Sequence, residues 1–138
     1  MESARPSSTP PRGRATFRKH ERLSGRKIIQ QVVREGAVVH RPPFRVSGLI
    51  VEDENMAPLR IAFAVPKRYL PRAVDRNRMK RLMREVWRRN KHAHVERFRP
   101  GVRRCALLVA FQGRSTVPFP MVESKMIEAL DRWMKEHG

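Results

Sequence analysis

Residues 74–90 read VDRNRMKRLMREVWRRN, seven Lys or Arg against two acids. Like charge at that density ordinarily belongs to a disordered tail. Here, however, Met79, Leu82, Met83, Val86 and Trp87 are threaded through the run at helical spacing. At about 100° per residue, Met79, Leu82, Met83 and Val86 share one arc, with Trp87 at its edge. Asn77, Lys80, Arg81, Arg84 and Arg88 occupy the opposite arc, and Arg76 and Arg78 flank the boundary near the helix start. Such a segment folds only as a helix anchored to a core by one side, with a row of cations on the other.

Lys67, Arg68 and Arg72 extend the row through the preceding loop, so that eleven basic residues from Lys67 to Lys91 stand against Asp75 and Glu85. A merely solvated helix face alternates its signs, with Glu four residues ahead of Lys. This face has almost no acids and stays frustrated until a polyanion arrives. The chain as a whole repeats the pattern, with 31 Lys and Arg, 13 Asp and Glu, and a net charge of +18. Nucleic acid is the expected partner of a small domain so charged, and the charge does not choose between DNA and RNA. A membrane surface fits less well, because the apolar stripe is needed by the core. Arginine forks bond two phosphate oxygens, and helix N–H groups near Asn77 add to an anion site.

With 138 residues, 40% of them apolar, the chain is sized for one domain. Residues 1–16, rich in Pro, Ser and Arg, read as a disordered basic arm, and 17–138 as the folded domain. SGRKIIQQVVREG predicts a helix with Ser24 as N-cap, Ile28, Ile29, Val32 and Val33 as its stripe and Gly36 as its stop. AVVH and FRVSGLIV predict strands separated by Pro42 and Pro43, and LRIAFAV a buried strand ended by Pro66. A hairpin between 44–51 and 59–65 is the natural pairing. Residues 92–104 read as a polar connection, CALLVAF as the next strand, and the closing helix buries Val122, Met126, Leu130, Trp133 and Met134. The order predicts an α+β fold: a single-domain α-β sandwich with about four strands, mostly antiparallel, and three helices.

Residues for chemistry of the chain's own are missing from the pattern. Glu52, Asp53 and Glu54 are consecutive in a polar turn and point in different directions, unlike a two-metal carboxylate set. His92 and His94 lack further ligands at zinc spacing, and His20 and His40 are isolated. Cys105 has no disulfide partner and sits in an apolar run, as a small buried hydrophobe does. No catalytic residue and no protein-held metal are expected. Without an apolar stretch of about 20 residues or a signal-like h-region, the expected location is the cytoplasm.

At IAFAVPKRYLPRAVDRNRMKRLMRE, residues 61–85, the chain resembles the protein component of bacterial ribonuclease P. That family carries an RNR signature preceded by AV and followed by KRL.RE, after a strand ending in a basic pair. Here these are Ala73, Val74, Arg76, Asn77, Arg78, Lys80, Arg81, Leu82, Arg84 and Glu85, with Lys67 and Arg68 as the pair. Weaker similarity extends over residues 17–136, including Arg22–Leu23 and Gly36. The resemblance implies a left-handed βαβ crossover carrying the RNR helix, against the general rule. It implies a protein, monomeric when free, that binds the catalytic RNA of ribonuclease P and the 5′ leader of precursor tRNA. The holoenzyme would release that leader by endonucleolytic hydrolysis, with catalytic Mg²⁺ held by the RNA subunit.

By the same resemblance, RNA binding falls to Lys67, Arg68, Arg72, Arg76, Asn77, Arg78, Lys80, Arg81, Arg84 and Arg88. A leader-binding cleft would be lined by Ile29 and Val33 from the first helix, Arg45 and Ser47 from the second strand, and Arg60, Ala62 and Ala64 from the third. Many relatives place aromatic residues where this chain has Ile29, Val33 and Ser47, and a Ser where it has Pro66. A cleft without them relies less on base stacking and more on Arg45 and Arg60. Ile29 and Val33 serve equally well as plain core residues. A ribosomal or RNA-chaperone protein using the same basic helix is the alternative function.

Overall fold

The computed structural model describes residues 22, 23, 25–53 and 55–138. The arm expected over 1–16, His20, Ser24 and Glu54 lie outside the described residues, and the N-cap of the first helix falls at Gly25 rather than at the expected Ser24. The elements in chain order are α1 (Arg26–Glu35), β1 (Ala37–Arg41), β2 (Phe44–Glu52), β3 (Leu59–Ala64), α2 (Ala73–Asn90), α3 (His92–Glu96), β4 (Arg103–Phe111) and α4 (Phe119–His137). Four helices among the described residues replace the expected three. The polar connection after α2 winds into α3 because Val95 and Phe98, three residues apart, both reach the core.

The sheet order is β1-β2-β4-β3. β1–β2 and β2–β4 are antiparallel and β3–β4 is parallel. The expected hairpin between 44–51 and 59–65 therefore does not form, because β4 lies between the two strands. Cys105, Ala106, Leu107, Val109 and Phe111 of β4 are all fully buried, facing helices on both sides of the sheet. A strand apolar on both faces is stable only at the centre. β3, with Arg60 and the small Ala62 and Ala64 on one face, takes the edge.

α2 and α4 pack on one face of the sheet and α1 on the other. Met79, Met83, Val86 and Trp87 meet Val122, Met126, Leu130 and Trp133 over Val46, Ile61, Leu107 and Val109. All four α2 residues are at most 1% exposed, whereas Leu82 packs half-buried at the margin. Trp133 Nε1 donates to Ala37 O at 3.0 Å, tying α4 to β1. The smaller layer gathers Leu23, Val32 and Ala106 with Ile29, Leu49 and Leu108. Gly36 ends α1 as expected, but in an extended conformation (φ −72°, ψ 151°) that leads straight into β1. A Cβ there would stand 2.8 Å from Gly48 O, so the close approach of the helix end to β2 requires glycine.

The hand of the β3–α2–β4 connection follows from residue chirality. Cys105 donates its N–H to Pro58 O, on the β3 side, at 3.0 Å, while its side chain lies in the core beneath α2. For an L-residue in a rising strand, seen from the side its side chain faces, N–H and C=O point right. Seen from the α2 layer, β3 is thus to the right of β4, and the chain crosses from right to left over the sheet. The crossover is left-handed, the rare hand and the one the resemblance implies.

Candidate nucleic-acid interface

α2 begins after the loop that leaves β3, and its faces divide as the 3.6-residue period requires. With Met79 and Met83 sealed beneath the helix, Asn77, Arg78, Arg81 and Arg84 are exposed, and Lys80 is half-buried. Lys67 and Arg68 are exposed in the loop, and Arg72 occupies the N-cap position with Nε 4.0 Å from Asp75 Oδ2. The structure thus brings the ten predicted residues onto one stretch of loop and helix.

Their commitments differ, which no helical wheel shows. Arg76 is half-buried, and its Nη1 donates to Leu70 O at 3.0 Å and Pro71 O at 2.7 Å, closing the loop onto the helix. Arg88 forks onto Glu85, Nε to Oε1 at 3.0 Å and Nη2 to Oε2 at 2.6 Å. The hydrogen bonds from Arg88 hold the Glu85 carboxyl below its ordinary value, and Glu85 raises Arg88 in turn. Farther along, Arg89 lies over the Phe119 ring at 5.3 Å, and Lys91 is buried and so leaves the exposed row. On α2, Arg78, Arg81 and Arg84 remain exposed to a partner.

The second predicted group lies on the α1 face. Arg45 pairs across β4 through Ala110 to Ala64, and Ser47 through Leu108 to Ala62, while Arg60 stands beside Ala106. Ile29 is half-buried against the smaller cluster, Val33 is 50% exposed, and Ser47 is only 3% exposed. Arg45 Nε and Arg60 Nε are both buried with no hydrogen-bond partner. A cavity of about 360 Å³ lined by Arg22, Leu23, Ile61, Ala62, Phe63 and Arg84 opens at the β3 edge, between this face and α2.

Among the described residues no three His, Cys, Asp or Glu are grouped to hold a metal ion. His94 Nε2 lies 2.9 Å from Asp131 Oδ1, away from α2's cationic row, and His40 is exposed on β1. Burial pushes the Cys105 thiol far above its ordinary value, with Arg103 opposing weakly. No described helix is long and apolar enough to cross a membrane.

A family model described as Ribonuclease P matches residues 17–134. The ribonuclease P protein component of Chlorobaculum tepidum is 55% identical over 42 residues, which cover 30% of this chain and 27% of that protein. That of Porphyromonas gingivalis is 40% identical over 74 residues, 54% of each. The chain thus spans about half the length, or less, of these relatives. The RNase P protein from Thermotoga maritima superposes with a TM-score of 0.61 at 26% identity, covering 81% of this chain and 96% of that one. The Staphylococcus aureus protein shares the fold, with a TM-score of 0.64 at 18% identity over 81% and 94% of the two chains. With the sandwich, the β3–α2–β4 crossover and the pattern over residues 17–134 all in agreement, the chain belongs to the Ribonuclease P family.

Proposed function

We propose that this chain is the protein subunit of a ribonuclease P holoenzyme in the cytoplasm, monomeric until it meets RNA. Its α2 row docks on the catalytic RNA, and the α1 face of the sheet receives the 5′ leader of precursor tRNA. The observation that carries this reading is the rigid cationic row, with Arg78, Arg81 and Arg84 exposed above the buried Met79 and Met83. Fixed cations replace mobile counterions on the phosphates, and release of those ions drives binding. On the other face, Arg45 and Arg60 each hold a buried Nε donor that gains an acceptor by turning toward a phosphate. Catalytic Mg²⁺ belongs to the RNA subunit in this reading. The protein lowers the Mg²⁺ needed by supplying positive charge around the substrate.

The test is reconstitution with ribonuclease P RNA and precursor tRNA at low Mg²⁺. Cleavage is expected to rise well above that of the RNA alone. Equal stimulation by an unrelated basic protein, or none, overturns the proposal.

A further inference from the structure

The loops that leave the parallel strands β3 and β4 converge at the carboxyl ends of the pair, a place where open sheets recurrently hold ligands. The first loop folds back on Pro66, whose carbonyl accepts from Tyr69 N at 3.1 Å and Leu70 N at 3.3 Å. Leu70 is buried, and Arg76 grips the Leu70 and Pro71 carbonyls from α2. Tyr69 is therefore held between a buried neighbour and a closed turn. The second loop starts where Gln112 N donates to Pro43 O at 2.7 Å. Gly113 follows, and a Cβ there would collide with the Phe111 ring, so the backbone packs tightly before Arg114.

Between the loops, two guanidinium groups share one ring. Arg68 Cζ lies 5.0 Å from the Tyr69 centroid and Arg114 Cζ lies 5.8 Å from it. The ring face attracts each cation, yet the two cations repel one another. Both arginines are exposed, and neither makes a salt bridge or hydrogen bond to an acid among the described residues. Two guanidinium forks gathered around one ring without an acid offer charge-assisted donors to RNA phosphate.

We propose that Arg68, Tyr69 and Arg114 form an RNA phosphate subsite, with Tyr69 as the platform that orients the two guanidinium groups. This rests on the reading of the chain as an RNA-binding subunit and extends it. The family motif contains neither Tyr69 nor Arg114, and the subsite carries the footprint from α2 onto the β4–α4 loop. The phosphate belongs either to the catalytic RNA or to the precursor, and the experiment separates the two.

Binding of the full chain to ribonuclease P RNA alone is measured across a KCl series. Binding of the reconstituted holoenzyme to precursor tRNA with and without its leader is measured in parallel. Arg114→Ala is expected to weaken one of these equilibria about tenfold and to flatten its log–log salt slope by about 0.7–0.9. Loss in the first arm assigns the phosphate to the catalytic RNA, and loss only with the leader present assigns it to the leader. Tyr69→Phe keeps the ring and is expected to bind like the parent, while Tyr69→Leu reproduces the Arg114→Ala loss with its charge intact. Circular dichroism verifies that each variant is folded. Unchanged affinity and slope for Arg114→Ala in every arm overturns the subsite, as does Tyr69→Leu binding like the parent. If the parent chain itself fails to bind ribonuclease P RNA, the underlying functional reading fails instead.

Discussion

Replacing Arg76 by alanine removes a guanidinium that bonds protein carbonyls, Leu70 O at 3.0 Å and Pro71 O at 2.7 Å. Charged hydrogen bonds contribute about 1.5–3 kcal/mol when sheltered, and the exposure of Pro71 places this pair at the low end, about 1–2 kcal/mol in all. For a domain of this size that lowers Tm by about 3–10 °C. Arg78, two residues on, is exposed with no such bonds, so Arg78→Ala should leave Tm within about 2 °C of the parent. The RNA-binding profiles should be reversed. Arg78→Ala flattens the salt slope by about 0.7–0.9, the signature of one lost phosphate contact. Arg76→Ala weakens binding by loosening the loop that carries Lys67 and Arg68, with a smaller change of slope. Thermal unfolding by circular dichroism and filter binding to ribonuclease P RNA over a KCl series measure both effects. An Arg76→Ala variant with the parental Tm and a slope lowered as far as that of Arg78→Ala would refute the division of labour between the two arginines.

Met79→Asp should unfold the domain, since a carboxylate at a fully buried site lacks any partner, whereas Leu82→Asp at the half-buried margin should fold with reduced stability; equal urea midpoints for the two would refute the packing described for α2. The Glu85 carboxyl is held below its ordinary value of 4.5 in the folded state, so its contribution is present above that pH and lost as pH falls through the depressed value. Glu85→Gln should therefore be less stable than the parent near neutrality and lose less stability on acidification, and parallel stability–pH curves would count against the Arg88–Glu85 fork. Because burial raises its pKa so far, the Cys105 thiol should resist iodoacetamide at pH 8 in native protein and react in urea; rapid native labelling would contradict the central position of β4.

The helix faces were legible because 3.6-residue periodicity is a local property, and Met79, Met83 and Val86 obey it without help from the rest of the chain. Strand pairing was not. The segment 59–65 pairs with a strand some forty residues later rather than with its neighbour, because the doubly apolar β4 competes for the central place. The crossover hand was legible only through the resemblance, since general packing favours the opposite one. Within the site, residue type marked Arg76 and Arg88 as cations but could not show that one closes a loop and the other answers Glu85. Arg104 escaped notice altogether. It is buried, and its guanidinium bonds the carbonyls of Met56 at 2.8 Å, Phe98 at 3.0 Å and Gly101 at 2.8 Å, a role visible only once the β2–β3 and α3–β4 loops have met.

The order β1-β2-β4-β3 also sets a timetable for the chain as it is made. β1 and β2 can zip as soon as both have emerged, but β3 has no ladder in the sheet until β4 arrives. During that interval α2 is already synthesised, with its methionine stripe uncovered and its arginines crowded together. Loop closure over such a separation is slow, and salt or a bound polyanion eases the repulsion meanwhile.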